Sequence, residues 1–579
     1  MQNRYINRED TRHPAGRIFL LVVTVAAVAL LAAADGGQEM RIAWLDEHVV
    51  PLTGCEAEHG FEDLAPLAAV IGDARIVGLG ESTHGTHEHF QMKHRLVEYL
   101  VEELGFSWFA IEASTPEAHR LDAYVLGGDG DPEELIRGMY FWTWTTEEVL
   151  AMVEWMRSHN ARSDHKIHFT GFDMQYPDVA ADEVVRFLRK VESPLADQAA
   201  ERYPEVLEAA QRSPGGMAAY HFPTSQACGK TVRFTAWIKT EDVLDGFAGL
   251  WWRIDGPEGV LASAYISECA VSGTTDWTEC VIELPVAAEA TDIRYGFGLM
   301  GDGTAWFDSA AIEVDGAPFD ASSYDLGFEK VAPAAYFTSD TDYAVELDPS
   351  VAHSGSQSLR IANVPTEPGA QRPLAGAEAI LAEMQSEREA WLALHPADEV
   401  ERALLNARIV VQNVRLQESG EVASAVRDAS MAENVAWLAD RYPEERLVLW
   451  AHNGHIGRAP RAMGAHLADR FGEDYVPVGF ATAYGEYYAI GQNGRRIYDL
   501  QAPPAESFEA HFAAAATPTF ALDLRLADPE SGESAWLTET RPFRSVGALA
   551  RDEQFYPTPL RDFYDLIVFV EETTAARQL

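Results

Sequence analysis

Residues Arg75–Gly85 read RIVGLGESTHG, and the parsing of this stretch decides the fold. Ile76, Val77, Gly78 and Leu79 form a short apolar run that predicts a strand stopping at Gly80. A carboxylate (Glu81), two hydroxyls (Ser82, Thr83), an imidazole (His84) and a second glycine (Gly85) follow. Then comes an amphipathic helix, with Phe90, Val97, Leu100, Val101 and Leu104 at helical spacing. A strand that ends in glycine and polar residues before a helix is where open α/β sheets place their ligands. A plain glycine turn with Ser82 or Thr83 as helix cap is the bland alternative. A cap has no need of Glu and His three positions apart, which favours a functional site.

The same pattern recurs along the chain. The run 108–111 (WFAI) ends in Glu112, the run 166–170 leads to Asp173, and 447–450 (LVLW) ends in Ala451-His452-Asn453-Gly454-His455. Further strands are expected at 476–480, 520–524 and 566–570. Helical text lies between them, as where Thr146 caps a helix whose first turn carries Glu147 and Glu148. Trp142 and Trp144, just before that helix, either fill the core or wall a pocket. Alternating helix and strand text predicts an α/β class with a largely parallel sheet flanked by helices. Strands running the same way bring their carboxyl ends to one edge, so groups distant in sequence converge.

Between 215 and 366 the helical period disappears. Short alternating runs such as TVRFTAWIKT, AGLWWRID, ECVIELPV and AWFDSAAIEVDG, separated by turn residues, predict an all-β sandwich interrupting the α/β text. The segment resembles the jelly-roll carbohydrate-binding modules of secreted hydrolases. The usual opening of such a module is similar to LGFEK and YAVELDPSVAHSGSQSLRI, which here stand after its middle and end, so the order reads as permuted. Trp237, Trp251 and Trp252 either stack on sugar rings or fill the sandwich core. The chain thus divides into an N-terminal segment 1–34, an α/β part 41–214, the inserted sandwich 215–366 and a second α/β part 367–579.

With 91 acidic against 44 basic residues the net charge is -47. Such a surface repels nucleic acid and anionic membranes. Arg4, Arg8, Arg12 and Arg17 precede an apolar run from Ile18 to Ala34, broken by Thr24 and ending in three alanines. This is a secretory signal pattern, with an uncleaved membrane anchor as the alternative. Either places the remainder outside the cytoplasm, periplasmic or secreted. None of Cys55, Cys228, Cys269 and Cys280 lies in a CxxC, which argues against a thiolate metal site. Cys269 and Cys280 flank an expected hairpin (VSGTTDWTE); a disulfide between them and four free thiols both fit the sequence.

The strand ends gather Glu81, His84, Glu112, Asp173, His452 and His455. Three imidazoles with several carboxylates suit general acid–base chemistry: a carboxylate orients a histidine, which takes a proton from water. A second carboxylate or an imidazolium then protonates the leaving group. No GxSxG elbow is present, and Ser82 is too near His84 in sequence for the usual Ser–His reach, so activated water is favoured over an acyl-enzyme. Zinc is the rival: His84, His87, His89, His452 and His455 supply enough nitrogen, though HExxH is absent and His87 and His89 are expected to face solvent.

GESTHG, MKHRLVEYLVEELGF, FAIEAS, TWTTEEV with WMRSHN, GFDMQ, RDASMAENVAWL and AHNGHIGR, in this order, resemble the erythromycin esterase family. The resemblance implies hydrolysis of an ester, the macrolactone in the named members, by histidine-activated water without a covalent intermediate and without a required cofactor. It assigns His84 as general base, Glu81 and Glu112 as the active-site carboxylates, and His452 and His455 as the other catalytic histidines. Lys93 stands where some relatives carry a functional arginine, and Lys93 and Asp173 are carried over as substrate-binding. Asp173 and Arg427 also read as braces of the fold. The expected partners are a small-molecule ester or lactone and, through the sandwich, a glycan. Two other readings remain: a metal-dependent hydrolase in the same cleft, and a glycan-binding protein whose hydrolase part is inactive.

Overall fold

Four-residue apolar runs that are buried on both faces make the centre of this fold. The computed structural model describes residues 37–211, 215–256, 259–264, 269–288, 290–301, 303–319, 326–329, 343–364, 373–419, 422–491, 494–551 and 553–579. The N-terminal segment 1–34, expected to be a signal or an anchor, lies outside the described residues. Among the described residues no helix is long and apolar enough to cross a membrane.

The main sheet contains β1 (Val50–Pro51), β2 (Ile76–Leu79), β3 (Trp108–Ser114), β4 (His168–Asp173), β5 (Leu447–Trp450), β6 (Tyr475–Gly491), β7 (Thr519–Asp523) and β8 (Leu566–Thr573). Their order across the sheet is β1-β7-β8-β6-β2-β5-β3-β4. β5 runs parallel to both β2 and β3, and β6 parallel to both β2 and β8. β7 and β1 close one side antiparallel. Every residue of β2, β3 and β5 is buried, which is why these strands read as unbroken apolar runs rather than alternating ones. Register pairs Leu79 with Trp450 and Trp450 with Ile111, so the polar tails of β2, β5 and β3 leave the sheet side by side.

The helix His87–Glu102 follows β2 and is buried on nearly all faces, not on one stripe; Lys93, His94, Arg95 and Glu98 are buried along with the apolar residues. Its N-cap position is Thr86 rather than Ser82 or Thr83. The helix Glu147–Arg162 starts as expected, Thr146 Oγ1 accepting from Val149 N at 3.3 Å.

The described residues form two compact units. One comprises the chain up to Ala113, Glu117–Phe172 and Val435–Leu579; the other comprises Ser114–Pro116 and Asp173–Asn434. The second unit holds more than the β strands. Helices Asp178–Lys190, Leu195–Gln211, Pro373–Leu392 and Ala397–Glu418 pack on one another within it, Phe187 meeting Trp391 edge-on at 5.2 Å. Asp173 begins the long segment of this unit. Its fully buried carboxylate accepts from Arg427 Nη2 at 2.5 Å, and Asn413 Nδ2 holds the carbonyls of Met174 and Gln175 at 3.1 Å.

The β strands of this unit pair antiparallel. The runs at 231–240 and 248–255 are one strand, Thr231–Gly256, with shifts of register along it. Its first part pairs with Thr304–Val314 and its second with Asp292–Met300. Phe234, Ile238, Leu250, Trp252, Tyr295, Phe297, Phe307, Leu359 and Ile361 share one core. The expected hairpin at VSGTTDWTE does not form. Val271–Pro285 is one strand paired along Thr231–Gly256, and Gly273, at φ +75°, accommodates a shift of register there. Cys269 and Cys280 are joined in a disulfide, while Cys55 and Cys228 are free.

Arg427→Met leaves the Asp173 carboxylate buried without its ion-pair partner and is expected to cost about 3–5 kcal/mol in denaturant unfolding. The double variant Asp173→Asn, Arg427→Met is expected to recover most of that loss; equal losses in both would show that the pair does not hold the segment.

Candidate active site

The site begins with a carboxylate that the chain has buried completely. Glu81 leaves the end of β2 with no solvent exposure. A buried carboxylate persists only with close donors. Oε1 meets His84 Nδ1 at 2.6 Å. Oε2 accepts from Lys93 Nζ and from Trp450 Nε1, the latter at 3.0 Å. Lys93 Nζ also lies 4.4 Å from the centre of the Trp450 ring. Three elements, the helix after β2, the last residue of β5 and the loop itself, therefore meet on one side chain.

With Oε2 taken by two donors, Oε1 is the acceptor for a proton on His84 Nδ1. That leaves the lone pair of His84 on Nε2. The His84 ring is edge-on to Trp144 at 5.7 Å and tilted against His452 at 5.1 Å. Trp144 Nε1 donates to the Glu112 carbonyl at 2.8 Å, so it fills the core and walls the site at once. From the end of β3, Glu112 Oε2 accepts from the backbone N–H of His452 at 3.0 Å, and Oε1 lies 3.4 Å from His455 Nε2. His452 caps the short helix Asn453–Ile456, its Nδ1 accepting from Gly454 N at 3.1 Å. Burial, then the neighbouring His84 and His455, hold His452 well below the usual imidazole value. The same causes favour the neutral form of this ring.

The loop 80–86 is fastened by later parts of the chain. Asn453 N donates to the Glu81 carbonyl at 2.9 Å, Val546 N to Ser82 O at 2.9 Å and His84 N to Gly547 O at 3.3 Å. Gly85 O accepts from both Tyr488 N and Ala576 N at 2.9 Å. Both glycines of GESTHG permit close approach. A Cβ on Gly80 would lie 2.1 Å from Asn453 Oδ1, and one on Gly85 would lie 2.0 Å from Tyr488 O.

The structure therefore brings together Glu81, His84, Glu112, His452 and His455. Lys93 and Asp173, carried over as substrate-binding, are both fully buried and ion-paired, Lys93 with Glu81 and Asp173 with Arg427, as braces of the fold would be. His89, expected in solvent, is fully buried and pushed down to about 3 by that burial and by Lys93. His87 is tied to Glu148 at 2.5 Å, a contact that raises its basicity. Among the described residues no three His, Cys, Asp or Glu side chains are placed to hold a metal ion together. Trp450, Asn453 and Gly547 escaped the sequence reading. Trp450 reads as one more apolar strand residue, and only the register Leu79 to Trp450 sets it beside Glu81.

A model of the erythromycin esterase family matches residues 101–239 and 330–573 of this chain. Erythromycin esterase type II of Escherichia coli is 30% identical over 133 residues, which is 23% of this chain and 31% of that protein. The chain spans 31% and 34% of the length of two curated relatives it matches. A solved Bacillus cereus protein superposes with a TM-score of 0.61 at 19% identity, over 94% of this chain and 99% of its own. An erythromycin esterase mutant solved in its open conformation gives 0.51 at 15% identity, over 89% and 94%. At these identities the structural likeness is one of fold.

Burial lowers Lys93 to about 8 from an ordinary 10.5, Glu81 opposing the shift. Between those values the unfolded chain binds a proton that the folded chain has released, so stability from this group rises with pH across that window. Unfolding free energies of wild type and Lys93→Met, measured from pH 7 to 10, are expected to diverge in favour of wild type above about pH 8. A difference independent of pH would show that Lys93 keeps its ordinary affinity for protons.

Proposed function

The chain belongs to the erythromycin esterase family, and from that premise we propose that it is an exported hydrolase that cleaves an ester or lactone with water activated by His84. The observation that carries this reading is the 2.6 Å contact between Glu81 Oε1 and His84 Nδ1, made by a carboxylate whose other oxygen is held by Lys93 and Trp450. It fixes the ring and leaves Nε2 as the proton acceptor. His84 Nε2 takes a proton from water while the water oxygen bonds to the carbonyl carbon. On collapse the alcohol departs and receives that proton from His84. Glu112 keeps His455 and the backbone of His452 in place. Water rather than serine is favoured because Ser82, the nearest serine in sequence, is fully buried and its Oγ makes no hydrogen bond. The reaction is proposed to need no metal.

The finer attributes belong to the same proposal. The extracytoplasmic placement rests on the N-terminal segment, and the charge of -47 disfavours nucleic acid. The membrane is met only through an uncleaved N-terminal segment. The segment 215–366 is read as an inserted, permuted sandwich of carbohydrate-binding-module type, between α/β parts at 41–214 and 367–579, and a glycan is its proposed partner. Trp252 does not serve there, since it is in the core and stacked on Tyr295 at 5.3 Å. One face of Trp237 is covered by His353 at 4.3 Å, which leaves the half-buried Trp251 as the tryptophan of the three to test first.

The test is a hydrolysis screen of the mature chain beside His84→Ala, over p-nitrophenyl esters, macrolides and acylated glycans, with and without chelator. Wild-type turnover lost by about 10²-fold or more in the variant, and indifferent to chelator, is the expected result. Turnover that survives His84→Ala removes His84 from the chemistry. A chelator effect reversed by zinc establishes the metal-dependent alternative.

A further inference from the structure

Past the sheet edge, β6 continues as one arm of a hairpin that stands against the loop of His84. Tyr488 N donates to Gly85 O at 2.9 Å, and Ile490 N to Ala548 O at 3.0 Å, one residue beyond the Gly547 carbonyl that accepts from His84 N. The returning strand, Gly494–Asp499, sets Ile497 opposite Tyr488 and Arg495 opposite Ile490. Side chains two positions apart share a face, so these four lie on one side of the hairpin. Trp142 packs against that side. Its ring is edge-on to Tyr488 at 5.6 Å, and its centre is 5.8 Å from the Arg495 guanidinium carbon. Two residues further on, Trp144 is edge-on to His84 itself.

The surface so formed is open. Ile497 is 55% exposed and Leu549, which bridges to Ile490, is 46% exposed. Trp142 and Tyr488 are half-buried and Arg495 is exposed. Scattered singly, exposed apolar side chains need no explanation; gathered around one tryptophan beside a reactive loop, they mark a binding surface. Its charge is equally particular. The chain has 91 acidic residues against 44 basic ones, yet among the described residues no carboxylate is paired with Arg495. The acids of this face, Glu486 and Asp499, lie opposite each other four positions away, about 13 Å along the hairpin. The end of the face against Trp142 is therefore the positive one.

We propose that Trp142, Tyr488 and Arg495 bind the half of the ester that does not react, and that the substrates are esters whose aromatic or apolar body carries an anionic group. The inference rests on the hydrolase reading and deepens it by naming a substrate class. The two rings take up the apolar body, and the guanidinium receives the anion in charge-assisted hydrogen bonds. Arg suits this position better than Lys, because its planar fork binds a carboxylate through two donors while its face lies over an indole. The anionic group takes no part in bond making or breaking. It sets which ester is held beside His84.

Two measurements test this. The first is calorimetric binding of two uncleaved probes of one shape, phenylacetamide and its para-carboxylate analogue. Wild type is expected to bind the anionic amide about tenfold more tightly than the neutral one. Arg495→Ala is expected to reduce that ratio to less than about threefold, and Arg495→Glu to reverse it. Trp142→Ala is expected to weaken both amides by about threefold or more. The second is hydrolysis of p-nitrophenyl phenylacetate and its para-carboxylate analogue, where the ratio of kcat/KM values is expected to follow the same order across the variants. Equal affinity of wild type for the two amides, or a preference that survives in Arg495→Glu, overturns the proposal. Trp142→Ala binding both amides as wild type does removes the ring from the surface and overturns it too. If wild type cleaves no ester while Arg495 selects the anionic amide, the hydrolase reading falls and the anion-binding surface stands. If wild type cleaves both esters with no preference for the carboxylate, this inference falls alone.

Discussion

The structure depends on the burial of one carboxylate. Glu81 sits at the end of a strand with no access to water, where an unpaired charge would be strongly destabilising. Each of its partners comes from a different element: Lys93 from the helix that follows β2, Trp450 from β5, His84 from the loop. None of the three elements can shift without exposing the charge to an apolar surrounding. The ammonium that neutralises Glu81 is itself fully buried, with Trp450 and Phe480 as its aromatic neighbours. A buried ion pair of this kind adds little net stability compared with an apolar core, but it specifies one arrangement. Here the arrangement specified is the orientation of an imidazole.

The parallel sheet supplies the rest. β2, β5 and β3 are adjacent, and their carboxyl ends lie in register, so residues 81–84, 452–455 and 112 leave one edge although hundreds of positions separate them. β6 starts beside β2 and continues well past that edge. Its distal part returns to the site by pairing Tyr488 N with Gly85 O. Backbone hydrogen bonds from 546–547 and 576 close over the same loop. The loop is therefore held by main chain rather than by its own turn propensity, which explains why two glycines with ordinary φ are needed there for contact and not for conformation.

Much of this was legible in sequence because burial leaves a mark. β2 and β5 are apolar at every position, and each is followed at once by charged or imidazole side chains. Runs of that kind give both the strand and the place of the site. Thr146 was legible as a cap because capping is local. What failed was set by tertiary partners. His89 and Lys93 lie on a helix whose apolar stripe suggested a solvated opposite face, and that face is buried as well. The VSGTTDWTE stretch carries turn residues, yet the long strand beside it pairs straight through. The helices of residues 178–211 and 373–418 have the same texture as those around the main sheet, and nothing local reveals that they pack on one another in the second unit.

Local and chemical requirements coincide most closely at His452. A helix of four residues needs its first N–H groups satisfied, and the His452 ring does this through Nδ1. The capping bond that starts the helix is also what places the ring hydrogen on Nε2. The carbonyl side of the same residue begins the helix, while its own N–H is spent on Glu112. Every polar atom of His452 except Nε2 is thereby committed to building the loop.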